Sequence, residues 1–216
     1  MLEEILPTSV AVAEAFDDPP EAVLYPEEEP AVARAVDKRR REYTTGRYCA
    51  RRALATLGLP LVAIPPGPNR SPAWPPGIVG SITHCAGYRA AAVAHDRDLA
   101  GLGIDAEPHG PLPEGVLAAV ALPAEQARLA ELAREAPDVH WDRLLFSAKE
   151  SVYKVWYPLA RRWLGFEEAE LDLGPGGFTA RLLVPGPDVG GAPLASLDGR
   201  WLVREGLVVT AIALPA

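Results

Sequence analysis

Between residues 60 and 77 the chain carries seven prolines (Pro60, Pro65, Pro66, Pro68, Pro72, Pro75 and Pro76) and two glycines. Each proline fixes φ and removes a backbone donor, so neither a helix nor an interior strand passes through this stretch. It is an extended loop that something else must order. On its N-terminal side residues 30–57 predict helix: Val32, Val36, Tyr43, Ala50, Leu54 and Leu57 lie near one apolar stripe, Gly46 marks a break and Gly58 a stop. On its C-terminal side residues 78–83, 89–95 and 99–106 read as strands, separated by Gly87 and a turn at 96–98.

A breaker cluster at 108–113 precedes two further helical stretches, 124–135 and 138–157. In the second, Trp141, Leu144, Leu145, Ala148, Val152, Val155 and Trp156 fall on one face, and Pro158 helps to end it. The last fifty or so residues alternate again at 170–173, 178–183, 200–204 and 207–214, the final pair joined by Glu205 and Gly206 as a hairpin. Each half therefore offers helical matter plus about three strands. The expected fold class is α+β: two similar subdomains related by a pseudo-twofold, each a small antiparallel sheet with packed helices, at 1–104 and 105–216, with a cleft between them.

With 49% apolar and 23% charged residues the chain can bury a sizeable core. Its longest apolar runs stop far short of the ~20 residues of a bilayer helix, and Glu3 and Glu4 oppose a signal peptide, so no membrane association is expected. Two cysteines, Cys49 and Cys85, far apart in sequence, argue against structural zinc and for reduced thiols in the cytoplasm. The net charge of −8 argues against nucleic acid. Yet residues 37–52 hold seven basic groups against Asp37 and Glu42, a local +5 in an otherwise −13 chain. Such a patch suits a small polyanion or a confined acidic partner, or else it is a solvated helix face. Only three of the 21 basic residues are lysines, and two of them, Lys149 and Lys154, sit close together.

Three short motifs bear chemistry. In Gly103-Ile104-Asp105-Ala106-Glu107-Pro108, at a strand end, period-two geometry puts both carboxylates on one face, within reach of one hard cation; oxygen ligands favour Mg²⁺ or Mn²⁺ over zinc. Two solvated acids would give the same pattern. In Phe146-Ser147-Ala148-Lys149-Glu150-Ser151-Val152-Tyr153-Lys154, the polar arc of Lys149, Glu150 and Lys154 lies opposite the apolar stripe and would set one carboxylate between two ammoniums, although Glu150 and Lys154 also make an ordinary i,i+4 pair. Finally, Gly80-Ser81-Ile82-Thr83-His84-Cys85 leaves a strand with hydroxyls, freed N–H groups and an imidazole, a reasonable phosphate cradle if His84 is not merely structural.

Together with Lys38-Arg39-Arg40-Arg41-Glu42-Tyr43, Gly46-Arg47-Tyr48-Cys49-Ala50-Arg51 and Trp74-Pro75, these segments resemble, in order and separation from about residue 30 to 165, the 4′-phosphopantetheinyl transferase superfamily. The likeness is to its larger, monomeric, two-lobed form associated with siderophore and secondary-metabolite synthases. The resemblance implies transfer of 4′-phosphopantetheine from coenzyme A to a serine of an acyl or peptidyl carrier protein, releasing adenosine 3′,5′-bisphosphate. It further implies Mg²⁺ held by Asp105, Glu107 and Glu150, a pyrophosphate contact from Lys154, a phosphate contact from His84, and a 3′-phosphate clamp of Arg39 and Arg47; the motif readings add Lys149, Ser81 and Thr83 as candidate coenzyme A contacts. Glu150 is the candidate acceptor of the serine proton. Asn69 stands where related enzymes often carry a lysine near the adenine, which leaves Arg70 as a substitute. The carrier is expected to dock at the cleft rim near the basic patch and the helices after Pro113, with Arg40, Arg51 and Arg52 contributing. A Mg²⁺-dependent phosphohydrolase of a nucleotide or CoA-like pyrophosphate would use the same carboxylates with water in place of serine, and a non-catalytic CoA-binding module would keep the fold without turnover.

Overall fold

The computed structural model describes all of residues 1–216. Strand β1 (Ala11–Ala15) is followed by helix α1 (Asp37–Thr56), strands β2 (Ile78–Cys85), β3 (Tyr88–His95) and β4 (Leu99–Pro108), and helices α2 (Val116–Val120), α3 (Pro123–Glu135) and α4 (Trp141–Ala160). Strands β5 (Ala169–Gly174), β6 (Gly177–Leu182), β7 (Asp188–Val189), β8 (Ala192–Pro193), β9 (Ser196–Arg204) and β10 (Leu207–Pro215) complete it. A three-stranded sheet runs β1-β3-β2, a five-stranded sheet β4-β10-β9-β6-β5, and every pairing is antiparallel. The α+β class and the antiparallel sheets are as expected. The boundary at 104/105 is not: it cuts β4, whose residues from Leu99 to Pro108 pair with β10, so sheet membership divides the chain at the turn before Leu99.

Alternating side chains stack these elements in layers. On β3, Ala91 and Val93 face α1, packing with Cys49, Ala50, Ala53 and Leu54, whereas Tyr88, Ala90, Ala92 and Ala94 face the second sheet and meet Leu102, Ile104, Ala106, Val209 and Ala211. On β10, Val208 and Ile212 turn the other way, toward Leu144, Leu145, Val152, Val155 and Trp156 of α4. The order is thus α1, small sheet, large sheet, α4 with α3. No helix is long and apolar enough to cross a membrane.

Two glycines on β4 set how close α4 comes. A Cβ on Gly103 would lie 2.2 Å from the carbonyl oxygen of Ser151, and one on Gly101 would lie 2.9 Å from a methyl of Val155. Strand and helix therefore touch backbone to side chain and backbone to backbone. Thr210 of β10 tightens the same contact by bonding Ser147 and Ser151 through their hydroxyls.

Several local expectations change. Gly46 does not break α1; it lies against Ile82, with 3.1 Å between its would-be Cβ and the Ile82 methyl. The helix begins only at Asp37, after a short 3₁₀ turn at Glu29–Val32, and ends at Gly58 (φ +73°), where Leu59 N–H returns to Leu54. Pro158 sits inside α4, in its last turn, and the stop is Arg161 at φ 52°. Strand β1 and the five-residue α2 were not anticipated. The proline loop is ordered by Trp74, which lies on Gly80 and donates from Nε1 to its carbonyl at 2.9 Å, and by a Pro66–Pro72 bridge.

Candidate active site

A cleft of about 1320 Å³ opens between α1, the proline loop and β2 on one side and β4 and α4 on the other. Among the sequence-predicted residues, Arg39, Arg47, Arg70, Ser81, His84, Glu150 and Lys154 line it; Thr83, Asp105, Glu107 and Lys149 do not.

The face of α4 toward β4 explains where the acids sit. Arg143, Glu150 and Lys154 are seven and four residues apart, which returns them to nearly the same side of the helix. Lys154 donates to the carbonyl of Ile104 and to Asp105 Oδ1, both at 2.8 Å. Arg143 donates to Glu107 Oε2 at 2.9 Å. Between these two pairs Glu150 is half-buried and no donor reaches it; burial and the carboxylates of Asp105 and Glu107 hold it above the usual carboxylate range, against the pull of Lys154. Glu107 is raised likewise, by burial and then by Asp105. The second oxygen of Asp105, Oδ2, is buried without any partner.

The three carboxylates do not converge as a ready cluster of metal ligands. Their chemistry nevertheless fits a divalent cation: an orphaned buried carboxylate oxygen costs free energy, as does a desolvated acid beside two others, and a hard cation relieves both. Lys154 meets that demand in part.

Ser81 and Thr83 turn out to be structural. Ser81 Oγ accepts from the backbone N–H of Ile104 at 3.1 Å, and Thr83 Oγ1 accepts from Ala106 N–H at 3.0 Å while donating to Asp105 Oδ1 at 3.2 Å. Both hydroxyls are buried and pin β4 to β2, so they are already committed and make no open cradle. Thr83 thereby positions Asp105.

Lys149 is likewise not beside Glu150 in the cleft. It is 4% exposed, pairs with Glu125 at 2.8 Å, and donates to the carbonyls of Phe166 and Ala169. Neighbouring residues on a helix point about 100° apart, enough to send Lys149 into the C-terminal core when Glu150 faces the cleft.

On the opposite wall, His84 packs between Arg39, whose Nη1 meets Nε2, and Glu42, whose Oε2 lies 3.5 Å from Nδ1. Burial, then the charges of Arg39, Lys154 and Arg89, push its pKa down to about 4, so the imidazole is neutral near pH 7. Neutral Nε2 accepts from Arg39, which leaves Nδ1–H toward Glu42. Arg47 is buried, its Nε donating to Ile64 O at 2.7 Å and its guanidinium lying 4.2 Å over the Tyr43 ring. Arg39 and Arg70 are exposed; Arg70 and Asn69 both adopt left-handed backbone in the loop.

The basic patch is largely neutralised. Arg40 pairs with Glu29, Arg41 with Asp18, and Arg51 is buried against Glu28, while Lys38 stands 4.0 Å from Glu42. Arg51 therefore offers nothing to a docking protein, and of the three arginines expected there only Arg52, over the Tyr48 ring, lacks a carboxylate partner. Sequence reasoning overlooked the counter-charges Asp18, Glu28 and Glu29, and also Arg143; it counted Glu42 in the patch without seeing its contact with His84. For Arg143 the signal was present, since it stands seven residues before Glu150.

A cleft between two lobes, with Arg39, Arg47, Arg70 and His84 on one wall, Glu150 and Lys154 on the other, and Asp105 and Glu107 close by outside its lining, suits a class of enzyme that works on phosphorylated ligands. The comparisons narrow the class to one family. A family model of the 4′-phosphopantetheinyl transferase N-terminal domain matches residues 27–94, and one of the 4′-phosphopantetheinyl transferase superfamily matches 101–189. The chain is similar to the 4′-phosphopantetheinyl transferase Svp of Streptomyces mobaraensis, 58% identical across 100% of this chain and 90% of Svp. It is also similar to Npt of Nocardia iowensis (52%, over 99% of each chain) and to PptT of Mycobacterium tuberculosis (48%, over 99% of this chain and 98% of PptT), both 4′-phosphopantetheinyl transferases. The chain belongs to the 4′-phosphopantetheinyl transferase superfamily and is an enzyme of that kind.

Proposed function

We propose that this chain transfers the 4′-phosphopantetheine of coenzyme A to a serine of an acyl or peptidyl carrier protein, and that Asp105 and Glu150, with Glu107 beside them, hold Mg²⁺ or Mn²⁺ at the diphosphate. The observation that carries the reading is Glu150, which lines the cleft with no bonded partner, and near it the buried, partnerless Oδ2 of Asp105, across from a wall that presents Arg39, Arg70 and His84. The bound cation would neutralise charge building on the departing phosphate.

The chain's own residues supply the rest. Lys154, held by Asp105 and Ile104 O, keeps an ammonium proton free for a diphosphate oxygen and cannot swing away. Arg39, Arg70 and the buried Arg47 offer forked donors to the 3′-phosphate end, with His84 contributing a phosphate contact after Arg39 leaves its Nε2. Glu150, the one acid of the three that lines the cleft, is the residue we assign to take the serine proton, directly or through water. Adenosine 3′,5′-bisphosphate leaves along the cationic wall. Cys49 and Cys85, both free and buried, suit a reducing compartment such as the cytoplasm, where we take the chain to act as a monomer.

Mass spectrometry of an apo carrier incubated with coenzyme A, Mg²⁺ and this protein tests the reading. A gain of one phosphopantetheine on the carrier is expected. Coenzyme A breakdown without carrier modification would replace the proposal with hydrolysis.

A further inference from the structure

One carboxylate stands on the wrong wall. Glu42 lines the cleft with Arg39, Arg47, Arg70 and His84, where it can only repel a phosphorylated ligand, and it is 7% exposed. Its ion pairs are loose: the well-exposed Lys38 ammonium lies 4.0 Å from Oε1, and His84 Nδ1 lies 3.5 Å from Oε2. The other charges around His84 are Arg39 at its Nε2, its cross-strand partner Arg89, Lys154 of α4 and Asp105 of β4. With the ring neutral, its proton sits on Nδ1 toward Glu42, and the lone pair on Nε2 accepts from Arg39.

That arrangement is wrong for an anion. A phosphate oxygen that replaces the Arg39 donor brings only lone pairs, and a bare Nε2 has no proton to give it. The ring has two remedies. Shifting its proton from Nδ1 to Nε2 leaves a bare Nδ1 facing the Glu42 carboxylate, lone pair against lone pair; gaining a second proton sets an imidazolium between two anions.

We propose that Glu42 is a positioning residue that keeps the His84 proton on Nδ1 and so obliges the ring to take a second proton from solvent, at Nε2, when a coenzyme A phosphate binds; this rests on the phosphate contact assigned to His84 above. No bond of the ligand changes in this step. In the empty cleft burial, then Arg39, Lys154 and Arg89, hold the His84 pKa down to about 4 against the pull of Asp105, and a phosphate that faces the same cations offsets their field. The bound form then holds the extra proton, so affinity is greatest at low pH and is lost as pH rises through the raised, bound pKa.

The test is ¹⁵N nuclear magnetic resonance of the full chain labelled in histidine, with and without coenzyme A, at about pH 7.5, above the second ionisation of a phosphate monoester at about 6. The His84 signals are those missing from His84→Gln. Free His84 should show one protonated and one bare nitrogen. Saturating coenzyme A should move Nε2 most of the way to the protonated position while Nδ1 stays protonated. Coenzyme A affinity should fall about fivefold from about pH 7 to about pH 8 in the wild type and less than about twofold in Glu42→Gln, whose amide can donate to a bare Nδ1. Glu42→Asp keeps a carboxylate and should keep the wild-type slope. The wild-type spectra decide the protonation even where Glu42→Gln fails to fold. A bound ring that stays neutral with its proton moved to Nε2 would overturn the proposal, as would a Glu42→Gln chain that gains the second proton as the wild type does. Coenzyme A that fails to bind the wild type would instead overturn the functional reading beneath it.

Discussion

Glu28 and Glu125 lie in separate lobes, 0% and 2% exposed, and each is saturated with donors. Glu28 accepts from Arg51 through both oxygens, from Ile64 N–H and from Tyr25 N–H. Glu125 accepts from Lys149, Leu122 N–H and Leu171 N–H. Asp105 and Glu150, between the lobes, keep one oxygen and a whole carboxylate without partners. Buried charge that is fully bonded costs little to keep and much to disturb, so it ties segments together; buried charge left short of partners costs free energy in every resting molecule and persists where a ligand completes it. The same side-chain type therefore builds in the lobes and works in the cleft.

The largest effect should come from attacking the builders. Glu125→Gln strands the Lys149 ammonium in the core, and about 3–5 kcal/mol of unfolding free energy should be lost in urea titrations. A loss under about 1 kcal/mol would erase the distinction between the two regions. Glu28→Gln should behave similarly through Arg51.

Next, Asp105→Ala should cut carrier labelling more than a hundredfold, or about 2.7 kcal/mol of barrier, at a smaller stability cost than Glu125→Gln because Lys154 keeps the Ile104 carbonyl. Near-normal labelling in that variant would remove the residue from the chemistry.

A smaller effect of opposite sign is expected for Glu150→Gln. Its folded pKa is raised, so the folded state binds more protons than the unfolded and this group's contribution to stability falls as pH rises from about 4.5 upward. Neutralising it should stabilise the resting protein by about 0.5–1 kcal/mol at pH 7 while labelling collapses. Lower stability in that variant would mean Glu150 has a partner after all.

The mildest probe is His84. Its folded pKa, about 4 against an ordinary 6.5, lies below that of the unfolded chain, so the unfolded state takes the proton first and stability declines as pH falls from about 6.5 to about 4. His84→Gln should flatten that part of a melting-temperature profile; an unchanged slope would assign it to other groups.

How much of this was legible beforehand depended on whether the cause was local. The face of α4 and the alternation of β2, β3 and β4 follow from periodicity, and the spaced motifs pointed to the right family. Strand β1 escaped because Ala11-Val12-Ala13-Glu14-Ala15 has little strand propensity of its own and is held by pairing with β3. Pro158 was read as helping to end the helix, but the backbone continues past it, Arg161 N–H still returns to Tyr157 O, and the stop comes at Arg161 with φ 52°. The structure brings Glu150, Lys154, His84 and Arg39 to the cleft and bonds Asp105 to Lys154, whereas Lys149, Ser81 and Thr83 are engaged elsewhere, for one reason. Their partners, Glu125, Ile104 and Ala106, are more than twenty residues distant, and a sequence motif says nothing about groups that reach it from elsewhere. The basic patch misled for the same reason, because Asp18, Glu28 and Glu29 lie outside it.

The contact at Gly103 has a bearing on any attempt to re-engineer the enzyme. With the Ser151 carbonyl where even a methyl group would sit, the spacing between the strand that bears Asp105 and the helix that bears Glu150 is dictated at Gly103 chiefly by main chain. Saturation mutagenesis there should return glycine and nothing else, and widening the cleft has to begin from the arginine wall.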